Sequence, residues 1–335
     1  MISRQNLPVA ILIALLLIGM LLPLAQKGTT IAFWLEVMIG GLMAGVLYAL
    51  VALGFVLIFK ASGVFNFAQG AMVLFAALSL ARLAGIMPLW IAFILTALIM
   101  VALAWLVERL VLRRLVNQEG VTLLMATLGI SFFLDGLGQT IWGSDVYSID
   151  LGISKDPLFV LAGVFPGGIL MNRDDILAAV IAAALVFALS LFFQRTATGR
   201  ALRAVADDHQ AAQSVGIPLS RIWVIVWAVA GFVALVAGMV WGSKLGVQFS
   251  LQEIALRALP VVILGGFTSV PGAIIGGLII GVGEKVSEVF FAPILVRTFD
   301  LAGGGIENWF AYVLALLFLL VRPEGLFGEK YIDRV

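Results

Sequence analysis

The stretch LVALGFVLIFKASGVFNFAQGAMVLF, residues 50–75, decides the fold class. It contains an apolar run, a short break with small and polar residues, and a second run of small and apolar residues. Runs of about 20 apolar residues can cross a bilayer. In lipid the backbone must satisfy its own N–H and C=O groups, which a helix does and an open strand does not. The stretch therefore predicts two membrane helices that meet at a break.

The composition of the whole chain agrees with lipid as its solvent. Of 335 residues, 63% are hydrophobic and 12% are charged, and the mean hydropathy is +1.16. A soluble domain carries about 25% charged residues, so this composition excludes a soluble protein. The net charge of +1 provides no general attraction to nucleic acid. With no cysteine and one histidine, neither a disulfide nor a metal site is expected.

Apolar runs recur along the whole sequence. We expect an all-α integral membrane protein, a polytopic bundle of about 8–10 transmembrane helices, some of them short or broken. The bundle forms one domain over residues 1–335, and its first run is interpreted as a membrane helix rather than a signal peptide. Eight spans with re-entrant pieces fit nearly as well as ten. The ten expected spans are 7–25, 34–59, 70–86, 88–107, 121–142, 176–193, 222–243, 254–269, 271–287 and 306–321.

The distribution of Lys and Arg predicts the orientation, because cytoplasmic loops carry the excess of basic residues. With ten spans and a cytoplasmic N-terminus, one side of the membrane holds about twelve of the 20 basic residues. Both termini are then cytoplasmic, and the polar connection 143–175 is external. The twelve residues are Arg4, Lys60, Arg109, Arg113, Arg114, Arg195, Arg200, Arg203, Arg221, Arg322, Lys330 and Arg334.

Polar side chains inside the apolar runs are candidates for a translocation pathway, because placing them in lipid is costly. Asn66 and Gln69 lie three residues apart, hence on one face if this piece is helical. Thr127, Ser131 and Asp135 follow at intervals of four residues and line one helix face. Hydrogen bonding between helices is the alternative for the uncharged residues. Asp135 is either a pathway residue or a surface residue at the end of its helix.

Small residues recur at helical spacing in two segments. Four glycines at Gly231, Gly238, Gly242 and Gly246 are separated by seven, four and four residues, and 271–283 holds two GxxxG pairs. Such spacing lets helices approach backbone to backbone, either within the chain or at a seam between subunits. The segment LPVVILGGFTSVPGAIIGGLIIG also repeats the outline of residues 50–75. Paired broken helices of this kind often flank a transport path.

A polar island, ATGRALRAVADDHQAAQSVGIPLS at 197–220, separates two strongly apolar runs. Its pattern predicts one short helix within a cytoplasmic loop, 194–221. Gly216 is expected at the C-terminal cap, and Pro218 prevents continuation of the helix. Ser220 is expected to cap the following membrane helix. Since so short a helix is marginal alone, it is expected to dock against another surface.

Four segments together resemble the permease subunits of ABC importers, in particular the branched-chain amino acid (LivH-type) branch. QAAQSVG, residues 210–216, is similar to the E-A-A-x-x-x-G pattern of the cytoplasmic loop, but Gln210 replaces the acidic residue. SGVFNFAQGAM resembles the branch's INFAHGE-type segment, with Gln69, Gly70 and Ala71 in place of His, Gly and acid. The other two segments are ILGGFTSVPGAIIGGLIIGVGE and VRPEGLFG.

The resemblance implies that the polar island is a coupling helix, which inserts into a cleft of a cytoplasmic ATPase. It further implies a second related permease, two ABC ATPases and an external solute-binding protein as partners, in a bacterial inner membrane. ATP and magnesium would bind to the ATPases, and this chain would hold no cofactor or metal. The residues implied in coupling are Arg203, Asp207, Asp208, Gln210, Ala211, Ala212 and Gly216.

Two functions remain open on the sequence. The first is a non-catalytic permease subunit of an ATP-driven importer for branched-chain amino acids or a similar small polar solute, such as urea or a short amide. No GxxxxGK[ST] phosphate loop and no nucleophile–base pair are present, so no enzymatic activity is expected in this chain. The alternative is a secondary transporter driven by an ion gradient, with Asp135 as the ion or proton site.

Overall fold

A computed structural model describes residues 7–25, 28–115, 118–154, 156–207, 209–300 and 305–328. Helices dominate this part of the chain, as the apolar runs predict. The helices are α1 (Leu7–Leu21), α2 (Ile31–Ser62), α3 (Gln69–Ala84), α4 (Leu89–Leu110), α5 (Gly120–Trp142), α6 (Arg173–Arg195), α7 (Ala197–Asp207), α8 (His209–Ser214), α9 (Leu219–Leu245), α10 (Ile254–Gly265), α11 (Val270–Val286), α12 (Ala292–Phe299) and α13 (Ile306–Val321).

Five of the described helices are long and apolar enough to cross a membrane: α2, α4 with the turn that follows it, α5, α6 and α9. A further candidate is the pair Phe249–Gly265 and Val270–Phe299, whose two parts are bent by 115° at their junction. Three shorter apolar helices are Leu16–Ala25, Gln69–Ala84 and Trp309–Val321. The expectation of an all-α polytopic membrane protein with some short or broken helices is therefore confirmed.

The predicted external connection contains a hairpin that the sequence pattern did not indicate. Strands β1 (Pro157–Val160) and β2 (Ile169–Asn172) pair antiparallel, with Phe159 opposite Leu170. Helix α6 begins immediately afterwards at Arg173, so the connection ends three residues earlier than expected. Asp174 and Asp175 lie in the first turn of α6, where their charges interact favourably with the positive end of the helix dipole.

The chain forms two compact units, each built from several segments. Unit 1 comprises 1–49, 153–181 and 259–335, and unit 2 comprises 50–152 and 182–258. In unit 2, helix α3 packs against α4, α5 and α9. All residues from Gln69 to Ala81 are buried, as expected for a helix enclosed on every side by other helices.

The glycine stripes pack within the units. In unit 1, a methyl group added to Gly45 would lie 2.5 Å from the Gly277 carbonyl oxygen, and one added to Gly281 would lie 2.5 Å from the Gly41 carbonyl oxygen. In unit 2, a methyl group on Gly238 would lie 2.7 Å from the Val73 carbonyl oxygen. These separations are too short for a side chain. Of the two interpretations of the stripes, close packing inside the chain is therefore the one that the structure supports.

Candidate functional sites: the α2–α3 break and the α6–α9 connection

The break between α2 and α3 exposes backbone groups that a helix would satisfy, and side chains supply their partners. The Trp223 indole N–H donates to the Ala61 carbonyl at 3.1 Å, at the end of α2. Asn66 Oδ1 accepts from the Ala68 N–H at 3.1 Å, at the start of α3. Because an unpaired backbone group is costly in a membrane interior, these contacts hold the break in one conformation.

Thr127 of α5 bonds to the middle of the same break. Its hydroxyl oxygen accepts from the Phe67 N–H at 3.3 Å and lies 3.3 Å from the Phe65 carbonyl oxygen and 2.9 Å from the Leu124 carbonyl oxygen. The hydroxyl can thus accept a hydrogen bond from the Phe67 N–H and donate one to either carbonyl oxygen. Thr127 therefore connects α5 to the α2–α3 break.

Gln69 and Asn66 are fully buried in this structure, at 0% exposed. The Asn66 amide donates to Gln69 Oε1 across 3.5 Å. Gln69 is seated against α2, and a methyl group added to Gly54 would lie 2.7 Å from Gln69 Cδ. Among the described residues, Gln69 Nε2 has no hydrogen-bond partner. The structure thus brings Asn66, Gln69 and Thr127 into one cluster, with one buried donor left over.

Ser131 and Asp135 lie further along α5 and do not join that cluster through any hydrogen bond between described residues. Asp135 is about 12 Å from Thr127 along the helix axis, from eight residues at about 1.5 Å each. It is half-buried, and its Oδ1 atom is enclosed without a hydrogen-bond partner in the described structure. The predicted polar face of α5 is therefore divided into a residue that holds the break and a separate half-buried acid.

Gly70, which matches the glycine of the family segment, has a direct structural reason to be glycine. A methyl group on Gly70 would overlap the Gln252 carbonyl oxygen and would lie 3.1 Å from the Ala255 Cβ. The turn Phe249–Glu253 thus packs on the N-terminus of α3. Gln69 and Ala71, the two neighbouring positions at which this sequence differs from the family segment, are also buried.

The second site begins where α6 turns into α7. The Arg203 guanidinium donates to the Phe193 carbonyl at 2.6 Å, and Thr196 Oγ1 donates to the Phe192 carbonyl at 2.6 Å. A methyl group on Gly199 would lie 2.6 Å from the Phe193 Cα atom. Since the last carbonyls of a helix have no partner within it, these contacts satisfy the end of α6. They also fix the angle at which α7 leaves it.

The polar island is helical on both sides of Asp208, as predicted, from Ala197 to Asp207 and from His209 to Ser214. Asp208 itself lies outside the described residues, as does the side chain of Gln210. Ala212 is 3% exposed, whereas Ala211 and Asp207 are exposed. The two alanines of the QAA motif therefore differ: one packs on the protein and the other faces outward.

The end of this helix has the predicted glycine cap. The Gly216 N–H donates to the Gln213 carbonyl at 3.0 Å, and the Ile217 N–H donates to the Ala212 carbonyl at 3.0 Å. Gly216 has φ +86°, the left-handed conformation that this pair of bonds requires and that glycine adopts without strain.

One capping prediction is wrong. Helix α9 begins at Leu219 with Pro218 at the cap position and without a side-chain capping bond. Ser220 is therefore the second residue of the helix and not its cap. The fixed φ of Pro218 and the tight Gly216 turn let the helix start two residues earlier than a cap at Ser220 would allow.

Sequence patterns missed several residues of these sites. Gly199 and Trp223 make contacts that depend on which segments meet, and no spacing rule indicates them. Glu108 is 4% exposed, and its Oε1 has no hydrogen-bond partner among the described residues. Glu108 lies near the end of α4, and the available signal for it was an acidic residue at the end of an apolar run.

Comparison with known proteins gives the family. The family model described as "Branched-chain amino acid transport system / permease component" matches residues 37–322. The high-affinity branched-chain amino acid transport system permease protein BraD of Pseudomonas aeruginosa is 29% identical over 314 residues, which cover 90% of this chain and 98% of BraD. The permease protein LivH of Salmonella typhimurium is 28% identical over 315 residues, again 90% and 98% of the two chains.

One solved structure is also similar. A chain of PsaBC from Streptococcus pneumoniae in complex with Fab has a TM-score of 0.47 and 15% sequence identity, and the match covers 93% of this chain and 97% of that chain. The family is assigned from the family model, which matches residues 37–322 and so most of this sequence. This protein belongs to the family of permease components of branched-chain amino acid transport systems.

Proposed function

We propose that this chain is the non-catalytic permease subunit of an ATP-driven importer for branched-chain amino acids or a similar small polar solute. Family membership over 37–322 and the printed functions of BraD and LivH support this class of transporter. They favour it over a carrier driven by an ion gradient, for which Asp135 would have been the ion site. The substitutions at Gln69 and Ala71 leave urea or a short amide among the possible solutes.

The observation that carries the proposal is the construction of the α6–α9 connection. It presents an exposed helix, capped at Gly216 and bonded to the end of a membrane span through Arg203. A partner that moved this helix would therefore also move α6. The residues proposed to contact the ATPase are Arg203, Asp207, Asp208, Gln210, Ala211, Ala212 and Gly216, with Ala211 and Asp207 on the exposed surface and Ala212 and Arg203 holding the helix in place.

The proposed assembly contains a second related permease, two cytoplasmic ABC ATPases and an external solute-binding protein. ATP and magnesium would bind to the ATPases, and ATP hydrolysis would occur there. The assembly would lie in a bacterial inner membrane, with both termini of this chain in the cytoplasm, as the distribution of Lys and Arg favours.

The proposed pathway is lined by the α2–α3 break and α5. Asn66, Gln69 and Thr127 would contribute by holding the broken helix, and Ser131 and Asp135 by presenting polar groups further along α5. Broken helices commonly border transport sites, and the unpaired atoms of Gln69 and Asp135 are suited to a group that changes partners during the transport cycle.

Replacement of Ala211 by Arg tests the coupling assignment. We expect the variant to lose co-purification of the ATPase and solute uptake, because a long charged side chain would occupy the docking surface that the small alanine leaves open. Gln118→Arg is a matched control, since Gln118 is also exposed and is expected on the same side of the membrane. The assignment is wrong if Ala211→Arg is made in normal amounts and retains both ATPase and uptake.

A further inference from the structure

The hairpin in the connection between α5 and α6 has an unusual composition for a segment expected to face water. Its sequence, PLFVLAGVFPGGILMN at Pro157–Asn172, contains no charged residue. The residues on either side of it are charged, Asp156 before and Arg173 after. A water-exposed loop is normally polar, and a contiguous exposed apolar surface marks a site of interaction.

The two faces of the hairpin differ in what covers them. Ile169, opposite Val160 in the hairpin, is 1% exposed. On the opposite face, Phe159 and its cross-strand neighbour Leu170 are 63% and 42% exposed. At the tip, Leu161 and Val164 are 51% and 69% exposed. Four large apolar side chains thus form one uncovered surface.

Part of the backbone of the hairpin tip is hydrogen-bonded within the tip itself. The Leu161 carbonyl accepts from the N–H groups of Val164 at 2.9 Å and Phe165 at 3.0 Å, and the Phe165 carbonyl accepts from the Gly168 N–H at 2.9 Å. These bonds lower the cost of moving the tip out of bulk water, although a loop of this kind does not enter the hydrocarbon core.

Contacts within unit 1 connect the hairpin to the ends of two membrane spans. The Leu170 N–H donates to Glu36 Oε2 at 3.2 Å, and Glu36 lies near the start of α2. β2 ends at Asn172, and α6 begins at the next residue, with Asp174 and Asp175 in its first turn. Charged residues at the ends of spans lie at the level of the lipid headgroups. The hairpin therefore lies beside the ends of two candidate membrane spans, at the level expected for the lipid headgroups.

We propose that the hairpin Pro157–Asn172 is a membrane-interface anchor that inserts the side chains of Phe159, Leu161, Val164 and Leu170 at the headgroup–acyl boundary. Aromatic and aliphatic side chains on a partly satisfied backbone are suited to this region of a bilayer. A soluble protein partner would be expected to meet polar or charged residues at the rim of its binding surface, and the hairpin has no charged residue.

Single-cysteine variants can test the anchor directly, because the chain has no native cysteine. Phe159→Cys and Val164→Cys are labelled with a nitroxide in the full chain, reconstituted in vesicles of phosphatidylcholine and phosphatidylglycerol. Both positions are exposed, so neither change removes a buried contact. Collision rates with oxygen and with a water-soluble nickel chelate then report whether each label lies in lipid or in water.

Two reference positions calibrate the measurement. Phe187→Cys on α6, where Phe187 is 65% exposed within a membrane span, gives the value in lipid. Ser154→Cys, at an exposed position beside Asp156, gives the value in water. We expect the ratio of oxygen to nickel collisions at positions 159 and 164 to exceed that at 154 and to approach that at 187.

Two outcomes would overturn the anchor. If both labels have the same collision ratio as Ser154→Cys, the hairpin faces water. If both labels have the water-like ratio without any partner and become protected from the nickel chelate when the soluble external partner is added, the uncovered face is a protein-docking surface instead.

Discussion

At the scale of single residues, Asp135 combines a charge with incomplete hydrogen bonding. It is half-buried on a helix that meets the criteria for a membrane span, and Oδ1 has no hydrogen-bond partner among the described residues. An acidic side chain in a membrane span has an unfavourable free energy of transfer, and no side-chain hydrogen bond between described residues offsets it. This is the basis of the proposal that Asp135 contacts solute or water during transport.

Asp135→Asn tests that role. The amide has nearly the same size as the carboxylate but lacks its charge, so assembly should be preserved. We expect uptake to fall by about tenfold, which corresponds to about 1.4 kcal/mol of lost interaction. The measurement is solute uptake at matched amounts of permease in the membrane, with ATPase co-purification as the control for assembly. Wild-type uptake would remove Asp135 from the pathway.

At the scale of secondary-structure elements, the angle between α6 and α7 depends on the contacts of a few residues. Arg203 and Gly199 both meet the backbone of Phe193, and the cap at Gly216 ends the helical segment. If this helix couples to an ATPase as proposed, its motion would pass to α6 without bending at the junction. This behaviour requires a stiff α6–α7 junction. Two variants that remove the same charge, Arg203→Ala and Arg200→Ala, can test that stiffness.

Arg203→Ala should weaken the joint more than Arg200→Ala. Arg203 donates at 2.6 Å and is half-buried, whereas Arg200 is exposed and donates at 3.3 Å to the Arg195 carbonyl. Loss of the Arg203 bond should cost about 1–2 kcal/mol. We expect faster amide exchange in 197–207 and a lower rate of solute-stimulated ATP hydrolysis for Arg203→Ala only. Equal effects of the two variants would show that charge, and not the bond, matters.

The packing of α2 on α11 provides a second test at this scale. Gly281→Ala places a methyl group 2.5 Å from the Gly41 carbonyl oxygen, whereas a methyl group on Gly40, the residue next to Gly41 in α2, has nothing within 4 Å. We expect Gly281→Ala to destabilise the protein by about 1–3 kcal/mol through overpacking and Gly40→Ala to be neutral. Thermal unfolding in detergent measures both, and equal midpoints would contradict the close approach of the two helices.

At the scale of the whole molecule, the proposed orientation places the α5–α6 connection and the proposed coupling helix on opposite sides of the membrane. Ser148, in the first, and Ser214, in the second, are both exposed. A membrane-impermeant maleimide added to intact cells should label Ser148→Cys and not Ser214→Cys. After permeabilisation, both should react. The reverse pattern in intact cells would invert the proposed orientation.

Sequence patterns alone predicted lipid as the solvent, the helical class and the position of the short helix proposed for coupling. Apolar runs of about 20 residues leave the backbone no alternative to helices in lipid, and Gly216 before Pro218 ends a helix by local backbone chemistry alone. The Ser220 cap was wrong at a helix boundary, where neighbouring turns compete for the same residues. The hairpin was missed because its four-residue strands are too short to distinguish from apolar loop sequence.

Which polar residues are hydrogen-bond partners depends on the tertiary structure. Thr127 and Asp135 lie on one face of α5, yet the first bonds to the α2–α3 break and the second has no bonding partner in the described structure. The tertiary structure also places Gly277 and Gly281 against α2. The sequence pattern had equally allowed these glycines to lie at an interface between subunits. Helical periodicity states which residues share a face, whereas the identity of the surface opposite that face depends on segments far apart in the chain.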